Sequence, residues 1–461
     1  MDTNRELIIR AERYINSKKS KILDEQQKEF SRLDYIRDCF GLSTEKFHFA
    51  FSFDNDDIAN LVRNEQLLFD YSCKIRSEWK IECFQHTYKY LSSPLIEADI
   101  KIDTLRGNKI DSKYERYFIN GSIHIRKEDG FTSYNTLTAN GMSAINLCFE
   151  LMNSLILSQP KKLAYSVGYY ETKFLLNNLA KSGIECHDLD NQTDELNLFN
   201  AFIIEPNKAD LTLQATDFHY VEQLVKFQNN KLKIIILDIS YQGLAFNLAE
   251  FLRVYKNSNV IIFVVRSLIK LDQLGLELTN GGIVEVFVPN HLGKLGSFIE
   301  KELNKFRNAH GSNLSFYEFC LIDNSLSLTH DDHYSDLVLN TTKKFYRKIL
   351  NVCQSKKGIL IRYEGRVPFI FIQLIDKEKE DFEKFFQWLS SKFQQFGLSL
   401  HARNSFGFRN LTVEYFGILE TNNYIFKICP GVFKGINYYL MAFLLSEFEV
   451  DFLENSQEKI D

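Results

Sequence analysis

Residues 259–282 have the sequence NVIIFVVRSLIKLDQLGLELTNGG, in which an apolar run gives way to Arg266, Ser267 and Lys270. An apolar run of this length bounded by polar residues predicts a buried parallel strand, and functional groups collect just past the C-terminal ends of such strands. An ammonium group at the edge of a core is costly unless it is paired or used chemically, for example in a Schiff base with an aldehyde cofactor. The alternative is a solvated lysine that opens a loop. The rest of the chain decides between these two interpretations of Lys270.

The chain before and after this stretch alternates between strand and helix patterns. Apolar runs predict strands at 163–167, 199–204, 233–237, 260–265 and 283–288, and a further short segment, 185–189, lies between the first two of them. Helix patterns are predicted at 146–157, after the segment 168–172 through about 181, at about 217–228 and at about 247–256. Helices of this length between strands indicate βαβ units, and therefore a parallel sheet with helices on both faces. The expected fold class is α/β, with the polar residues of interest placed just after strands.

The 461 residues are too many for one simple core, so several domains are expected. The predicted parts are a helical N-terminal extension at 1–100, a large α/β domain at 101–300, a helical connection at 301–345 and a smaller α+β C-terminal domain at 346–461. The C-terminal domain is inferred from strand patterns at 358–363, 367–374, 398–402, 411–416 and 424–428, and from helix patterns at 380–396 and 432–448.

Composition excludes several classes of function. A net charge of −5 offers no basic face for nucleic acid. The eight cysteines form no CxxC pair, which indicates reduced thiols in a cytoplasmic protein rather than a zinc ribbon or a disulfide framework. The start of the chain lacks a signal-type apolar region, and no apolar run approaches the roughly 20 residues that span a membrane. His330 and His333 have the spacing HxxH but no third ligand, so we expect a solvated turn and no metal.

Two segments could bind an anion. A helix pattern opens at Gly141, Met142 and Ser143, and the N–H groups of a first helical turn, assisted by the helix dipole, suit a phosphate. Tyr114 and Arg116 stand at i and i+2 in an extended segment, where their side chains would point to the same side. Glycine-opened helices and surface Tyr/Arg pairs are both common, so each signal is weak by itself.

Taken in order, these motifs resemble those of pyridoxal-phosphate (PLP) enzymes of fold type I. The matching stretches are Gly141-Met142-Ser143, Tyr169-Tyr170-Glu171-Thr172, Asp238 and Ser267-Leu268-Ile269-Lys270. The pattern is similar in particular to the cysteine/methionine-metabolism family of cystathionine synthases and lyases and methionine γ-lyase, which carries S-G-M-A-A, Y-G-G-T, an Asp after a strand and S-x-T-K. The resemblance covers about 115–282, and 398–431 more loosely. It implies a PLP-dependent transferase-like large domain, PLP as cofactor, an amino-acid substrate and a homodimer or homotetramer.

The resemblance also implies a role for each matched residue. Lys270 would hold PLP as a Schiff base and shuttle protons, Asp238 would keep the pyridine nitrogen protonated, and Tyr169 would stack on the ring. These three form the implied catalytic set. The remaining implied cofactor-binding residues are Gly141, Met142 and Ser267 at the phosphate, Asn207 near the phenolic oxygen, and Tyr114 and Arg116 from a neighbouring subunit.

The chain departs from the family at two positions that bear on the reaction. Ile269 replaces a threonine, and Lys427 stands where the family has an arginine for the substrate carboxylate. Because lysine offers a point charge and no bidentate fork, the candidate substrate-binding residues are Lys427, Arg403, Arg409 and Ser405. The implied activity is β/γ-elimination or replacement. The alternatives are an aminotransferase or decarboxylase of specialised biosynthesis, or a binding subunit that kept the fold without catalysis. Retention of Lys270 and Asp238 favours an enzyme.

Overall fold

The computed structural model describes residues 2–91, 100–103, 109–113, 117–118, 126–155, 162–190, 199–210, 212–227, 231–331, 333–353, 358–402, 407–417 and 424–448. The helices are α1 (Asp2–Asn16), α2 (Lys19–Cys39), α3 (Ile58–Leu91), α4 (Gly141–Leu155), α5 (Tyr170–Lys181), α6 (Phe218–Lys226), α7 (Leu248–Arg253), α8 (Leu268–Leu271), α9 (Gly293–Ala309), α10 (Phe316–Asp331), α11 (Tyr334–Cys353), α12 (Lys379–Gln395) and α13 (Ile436–Glu447). The strands are β1 (Ile100–Asp103), β2 (Lys109–Lys113), β3 (Tyr117–Phe118), β4 (Phe131–Thr138), β5 (Lys162–Ser166), β6 (Glu185–Asp188), β7 (Ala201–Ile204), β8 (Lys233–Asp238), β9 (Val260–Ser267), β10 (Gly282–Pro289), β11 (Ile359–Arg362), β12 (Ile370–Leu374), β13 (His401–Ala402), β14 (Thr412–Gly417) and β15 (Tyr424–Cys429).

The described residues divide into two compact units. The terminal unit comprises those within Met1–Trp79 and Tyr334–Asp461, and the central unit comprises those within Lys80–His333. The boundary between them falls inside α3. No helix in the described part of the chain is both long and apolar enough to cross a lipid bilayer.

The central unit is organised around a sheet whose strand order, over the described residues, is β4-β10-β9-β8-β7-β5-β6. β9, β8, β7, β5 and β6 pair in parallel, whereas β10 pairs antiparallel with both β9 and β4. The parallel strands are long apolar runs because helices cover both faces of such a sheet. This mainly parallel sheet confirms the predicted α/β fold class. β1, β2 and β3 form a separate antiparallel sheet.

Side-chain alternation along each strand divides the central core into two layers. On β8, Ile234 and Ile236 pack with residues of α4, α5 and α9, whereas Ile235 and Leu237 pack with residues of α6 and α7. All four side chains are fully buried, and each such burial stabilises the fold by about 1.5–3 kcal/mol. The two layers therefore bury both faces of the sheet.

The terminal unit is an α+β structure. Its sheet has the order β11-β12-β15-β14-β13 over the described residues, and only the β13–β14 pair is parallel. Buried residues of α1, α2 and α3 share one apolar core with α11, α12, α13 and this sheet. The helices expected in residues 1–100 are therefore present, and their apolar faces belong to the same core as the C-terminal strands. The division into four parts given by the sequence stays a prediction.

Candidate active site

Three polar residues selected from the sequence, Tyr169, Asp238 and Ser267, lie along one edge of the central sheet together with Glu205. Tyr169 comes shortly after β5, Glu205 directly follows β7, Asp238 ends β8 and Ser267 ends β9. Because these strands are parallel, their C-terminal ends meet at the same edge. The fold therefore brings together side chains that are far apart in sequence.

Lys270 lies in the single-turn helix α8, which begins where β9 ends. The Leu268 N–H donates to the Gly281 carbonyl at 2.9 Å and fixes the start of this turn. Lys270 is 8% exposed, and its Nζ is 5.2 Å from the centroid of the Tyr241 ring, which is within cation–π range. Lys270 is thus a buried amine at a strand end, and the alternative of a solvated loop lysine does not hold.

Asp238 is a buried carboxyl group within the electrostatic reach of Lys270. Burial raises the pKa of Asp238, while hydrogen bonds from Ser240 and the positive charge of Lys270 oppose that rise. Oδ1 accepts from the Ser240 N–H at 2.9 Å and from the Ser240 hydroxyl at 2.6 Å. Donors on one oxygen and a nearby ammonium are the surroundings that favour the charged form of a carboxyl group.

Glu205 holds the backbone turn that carries Tyr169. Its buried carboxylate accepts from the N–H groups of Gly168 at 3.0 Å, Tyr169 at 3.1 Å and Ala209 at 2.9 Å. A Cβ on Gly168 would lie 2.5 Å from the Ala209 nitrogen, so a larger residue would force the two loops apart. These contacts fix where the Tyr169 side chain starts.

Tyr169 is a half-buried neutral phenol beside this group of charges. Burial raises the pKa of Tyr169 most, Glu171 and Tyr170 raise it further, and Asp238 adds to the rise. The electrostatic effect of Asp238 requires the phenol and the carboxyl group to be close in space. Tyr169 and Lys270 therefore each lie within electrostatic range of Asp238, although the three residues follow different strands.

The start of α4 meets the end of β9. A Cβ on Gly141 would lie 2.8 Å from the Ser267 Cβ, so this approach needs glycine. The Asn140 side chain caps the helix by accepting from the Ser143 N–H at 2.8 Å. The other first-turn N–H groups, including that of Met142, have no acceptor within the helix and point toward its start. Together with the helix dipole they suit a phosphate group.

A buried cluster of charged side chains includes the residues on either side of α8. Arg266 contacts Glu285 at 2.6 Å and Asp272 at 3.2 Å, and Arg126 Nε donates to Glu285 at 2.8 Å. Arg266 precedes the α8 turn by two residues, and Asp272 immediately follows it. The Arg266–Asp272 pair therefore ties both flanks of the turn that carries Lys270.

The remaining predicted cofactor-binding and substrate-binding residues either contact other parts of the protein or lie outside the described residues. Met142 lies in the first turn of α4 and packs against the apolar core. Asn207 is buried, donates to the Leu213 carbonyl at 3.2 Å and accepts from Gln242 at 2.9 Å, so both polar atoms of its amide have protein partners. Four predicted residues lie outside the described residues: Tyr114, Arg116, Arg403 and Ser405.

Two predicted substrate-binding cations, Arg409 and Lys427, lie in the terminal unit beside carboxylates. Arg409 Nη2 is 2.5 Å from Glu29 Oε1, and both side chains are almost fully buried. Lys427 Nζ is 3.5 Å from Glu414 Oε2 and 4.7 Å from the Phe369 ring centroid. Their role in binding a substrate carboxylate stays a prediction.

The HxxH stretch forms the turn expected from the sequence only in part, at His333, which is an exposed turn residue. α10 extends to Asp331, so the backbone of His330 belongs to its last helical turn. Over the described residues, no group of three or more His, Cys, Asp or Glu side chains is placed to hold a metal ion.

Sequence reasoning missed Ser240 and Tyr241 and assigned no role to Glu205. A usable signal existed for Ser240, since Asp238-Ile239-Ser240 has the spacing at which an Asp side chain accepts the N–H two residues on. No comparable local signal marks Tyr241, because its contact with Lys270 joins the ends of two different strands.

No family model matches the sequence, and no curated protein is similar to it. Several solved structures resemble the fold. MetB from Corynebacterium glutamicum has 16% sequence identity and a TM-score of 0.51, with 70% of this chain and 81% of that chain covered. A methionine gamma lyase from Micromonospora echinospora has 13% identity and a TM-score of 0.49, with 68% and 81% covered. A serine palmitoyltransferase from Sphingomonas wittichii has 12% identity and a TM-score of 0.45, with 68% and 72% covered. The similarity to MetB shows a shared fold and confirms the fold class implied by the sequence motifs.

Proposed function

We propose that the protein is a PLP-dependent enzyme that acts on an amino acid by elimination or replacement at the β or γ carbon. The observation that carries this proposal is that Lys270 and Tyr169 follow parallel strands of the same sheet as Asp238, and that each lies within electrostatic range of it. The motif resemblance to the cysteine/methionine-metabolism family supports the substrate class and the type of reaction.

The residues present fit PLP at three points. A buried primary amine is available for the cofactor aldehyde at Lys270, and a buried carboxyl group is available for the ring nitrogen at Asp238. The start of α4 offers N–H groups for the phosphate beside Ser267, at a close approach where a Cβ on Gly141 would clash with the Ser267 side chain. The aldehyde, the ring nitrogen and the phosphate of PLP would each have a matching group.

Each side chain would then contribute a separate physical effect. When bound, PLP supplies an electron-withdrawing ring that stabilises negative charge on the substrate carbon next to the amino group. The Asp238 carboxylate would hold the proton on the ring nitrogen, because a nearby negative charge favours the protonated form. The Tyr169 ring would cover one face and exclude water. The Lys270 Nζ would hold the cofactor and, once released by the substrate amine, take and return protons at the substrate carbons.

The cofactor proposal is tested by absorbance titration of the purified protein with PLP. The wild type should develop a visible band of lysine-bound cofactor, which Lys270→Ala abolishes. Lys294→Ala, which removes an exposed lysine of α9 in the same unit, is the matched control and should retain the band. A wild type without this band, or a band that survives Lys270→Ala, would refute the proposal.

Product analysis with a panel of amino acids tests the reaction. Elimination releases ammonia and a keto acid, whereas replacement yields an amino acid with a new side chain. Conversion of an added keto acid to an amino acid would indicate transamination, and carbon dioxide would indicate decarboxylation. Bound cofactor without turnover of any amino acid would favour a non-catalytic subunit.

A further inference from the structure

Ser240 lies between two parts of the candidate site. Its hydroxyl donates to Asp238 Oδ1 at 2.6 Å and accepts from the Ser267 N–H at 2.8 Å. The Ser240 N–H also donates to Asp238 Oδ1, at 2.9 Å. One side chain therefore joins the end of β8 to the end of β9.

The donor and acceptor roles along this hydrogen-bond chain are fixed by the chemistry of the groups in it. The Ser267 N–H can only donate, so the Ser240 oxygen must accept there, and the one hydroxyl hydrogen of Ser240 is directed to Asp238. Such chains polarise their members, so the bond to the carboxylate is strengthened by the bond from Ser267. Among the described residues, both hydrogen bonds to the Asp238 carboxyl group fall on Oδ1. Oδ2 is the oxygen left for a donor on a ligand.

The other end of the chain lies where a phosphate would bind. Ser267 is the residue that a Cβ on Gly141 would strike, so the position of Ser267 sets the space at the start of α4. An N–H held by the Ser240 oxygen fixes the backbone of Ser267 at that point.

We propose that Ser240 is a positioning residue that couples the two ends of the cofactor site. It orients the Asp238 carboxylate for the ring nitrogen and holds Ser267 in place for the phosphate. This inference rests on the proposed function, because it assumes that PLP occupies the site.

Two substitutions separate the hydroxyl from the rest of the side chain. Ser240→Ala keeps the backbone N–H bond to Asp238, but it removes one donor from the carboxylate and the acceptor of the Ser267 N–H. Ser240→Thr retains a hydroxyl. The matched control is Ser258→Ala, because Ser258 is also buried in the central unit and donates to the Tyr255 carbonyl at 2.7 Å.

The experiment measures binding of pyridoxal and of inorganic phosphate separately to the PLP-free protein by calorimetry. Pyridoxal probes the ring end and phosphate probes the other end. Ser240→Ala should weaken both by about tenfold or more, since a hydrogen bond to a charged group is lost at one end and an acceptor at the other. Ser240→Thr should restore both affinities, and Ser258→Ala should change neither.

A second comparison tests whether Ser240 acts through Asp238. In an Asp238→Ala background, adding Ser240→Ala should no longer weaken pyridoxal binding, whereas its effect on phosphate should persist. The inference would be overturned if Ser240→Ala lost affinity for only one of the two ligands. It would also be overturned if the losses were no larger than those caused by Ser258→Ala. Hydrogen exchange of the Ser267 N–H in the PLP-free protein, faster in Ser240→Ala, checks that link without a ligand, and an unchanged rate would also overturn it. Failure of the wild type to bind PLP would instead count against the proposed function.

Discussion

Replacing Glu205 by glutamine should change how the stability of the central unit depends on pH. Glu205 is 3% exposed, and its carboxylate accepts three backbone N–H groups, those of Gly168, Tyr169 and Ala209. Burial, followed by the charge of Asp238, raises its pKa from 4.5 to about 7, against the opposing effect of these hydrogen bonds. Glutamine has nearly the same shape but does not titrate.

The size and sign of the effect follow from this shift. The difference between 7 and 4.5 is 2.5, which corresponds to about 3 kcal/mol at 1.36 kcal/mol for each pKa unit. Because the folded state binds this proton more tightly than the unfolded state, the stabilisation is fully present below the unfolded pKa. It is lost as the pH rises through about 7. Glu205→Gln removes this contribution.

The variant should therefore gain stability relative to the wild type as the pH rises. Its amide offers one acceptor oxygen to three donors, so about 1–3 kcal/mol should be lost near the acid end of the range. Over the window set by the two pKa values the wild type loses about 3 kcal/mol. The difference in unfolding free energy between the variant and the wild type should therefore disappear or change sign at the alkaline end of this range.

The assay is urea unfolding of both proteins at several pH values, because the difference between them cancels the titrating groups that do not interact with Glu205. Both tryptophans, Trp79 and Trp388, lie in the terminal unit, so circular dichroism and hydrogen exchange at Tyr169 must report on the central unit. Glu300→Gln, which changes an exposed carboxylate in α9, is the control. A difference between the wild type and Glu205→Gln that stays constant with pH would refute the reasoning.

Three further outcomes are expected. Tyr241→Leu should speed the reaction of the Lys270 amine with added PLP by about two- to tenfold, because the aromatic ring no longer stabilises the ammonium form. Tyr241→Phe keeps the ring and should leave the rate unchanged. Stopped-flow absorbance measures both rates. Gly141→Ala should weaken PLP binding by about tenfold or more, since its Cβ would be 2.8 Å from that of Ser267. In equilibrium titrations pyridoxal, which lacks the phosphate, should lose much less affinity. Burial raises the pKa of Glu65 to about 7, so the terminal unit should lose stability as the pH rises toward that value. Glu65→Gln should remove this pH dependence of the unfolding free energy, measured by tryptophan fluorescence.

The regular elements of the central unit were predictable because their patterns are local. The apolar runs at 233–237 and 260–265 correspond to β8 and β9, and the predicted helices lie close to those observed. β4 was not predicted, since Thr132, Ser133 and Asn135 interrupt its apolar pattern. Within the described part of the chain it is an edge strand that pairs with β10 alone. The antiparallel direction of β10 also has no local signal, because pairing direction depends on the path of the chain between strands.

The candidate site was only partly predictable. Lys270, Asp238 and Tyr169 could be selected because each follows a strand and matches a motif. The hydrogen bonds of Ser240 to Asp238 and Ser267 span two strands, so motif spacing shows only one of their ends.

The sequence by itself determined the alternation of strands and helices, and with it the edge of the sheet where functional groups gather. Only the tertiary structure decided which of those groups meet, how deeply Lys270 and Asp238 are buried, and that α1 and α2 share a core with the C-terminal strands. The physical reason is one of range. Helix and strand patterns depend on neighbours a few residues away, whereas charge interactions, desolvation and hydrogen bonding depend on distances in space.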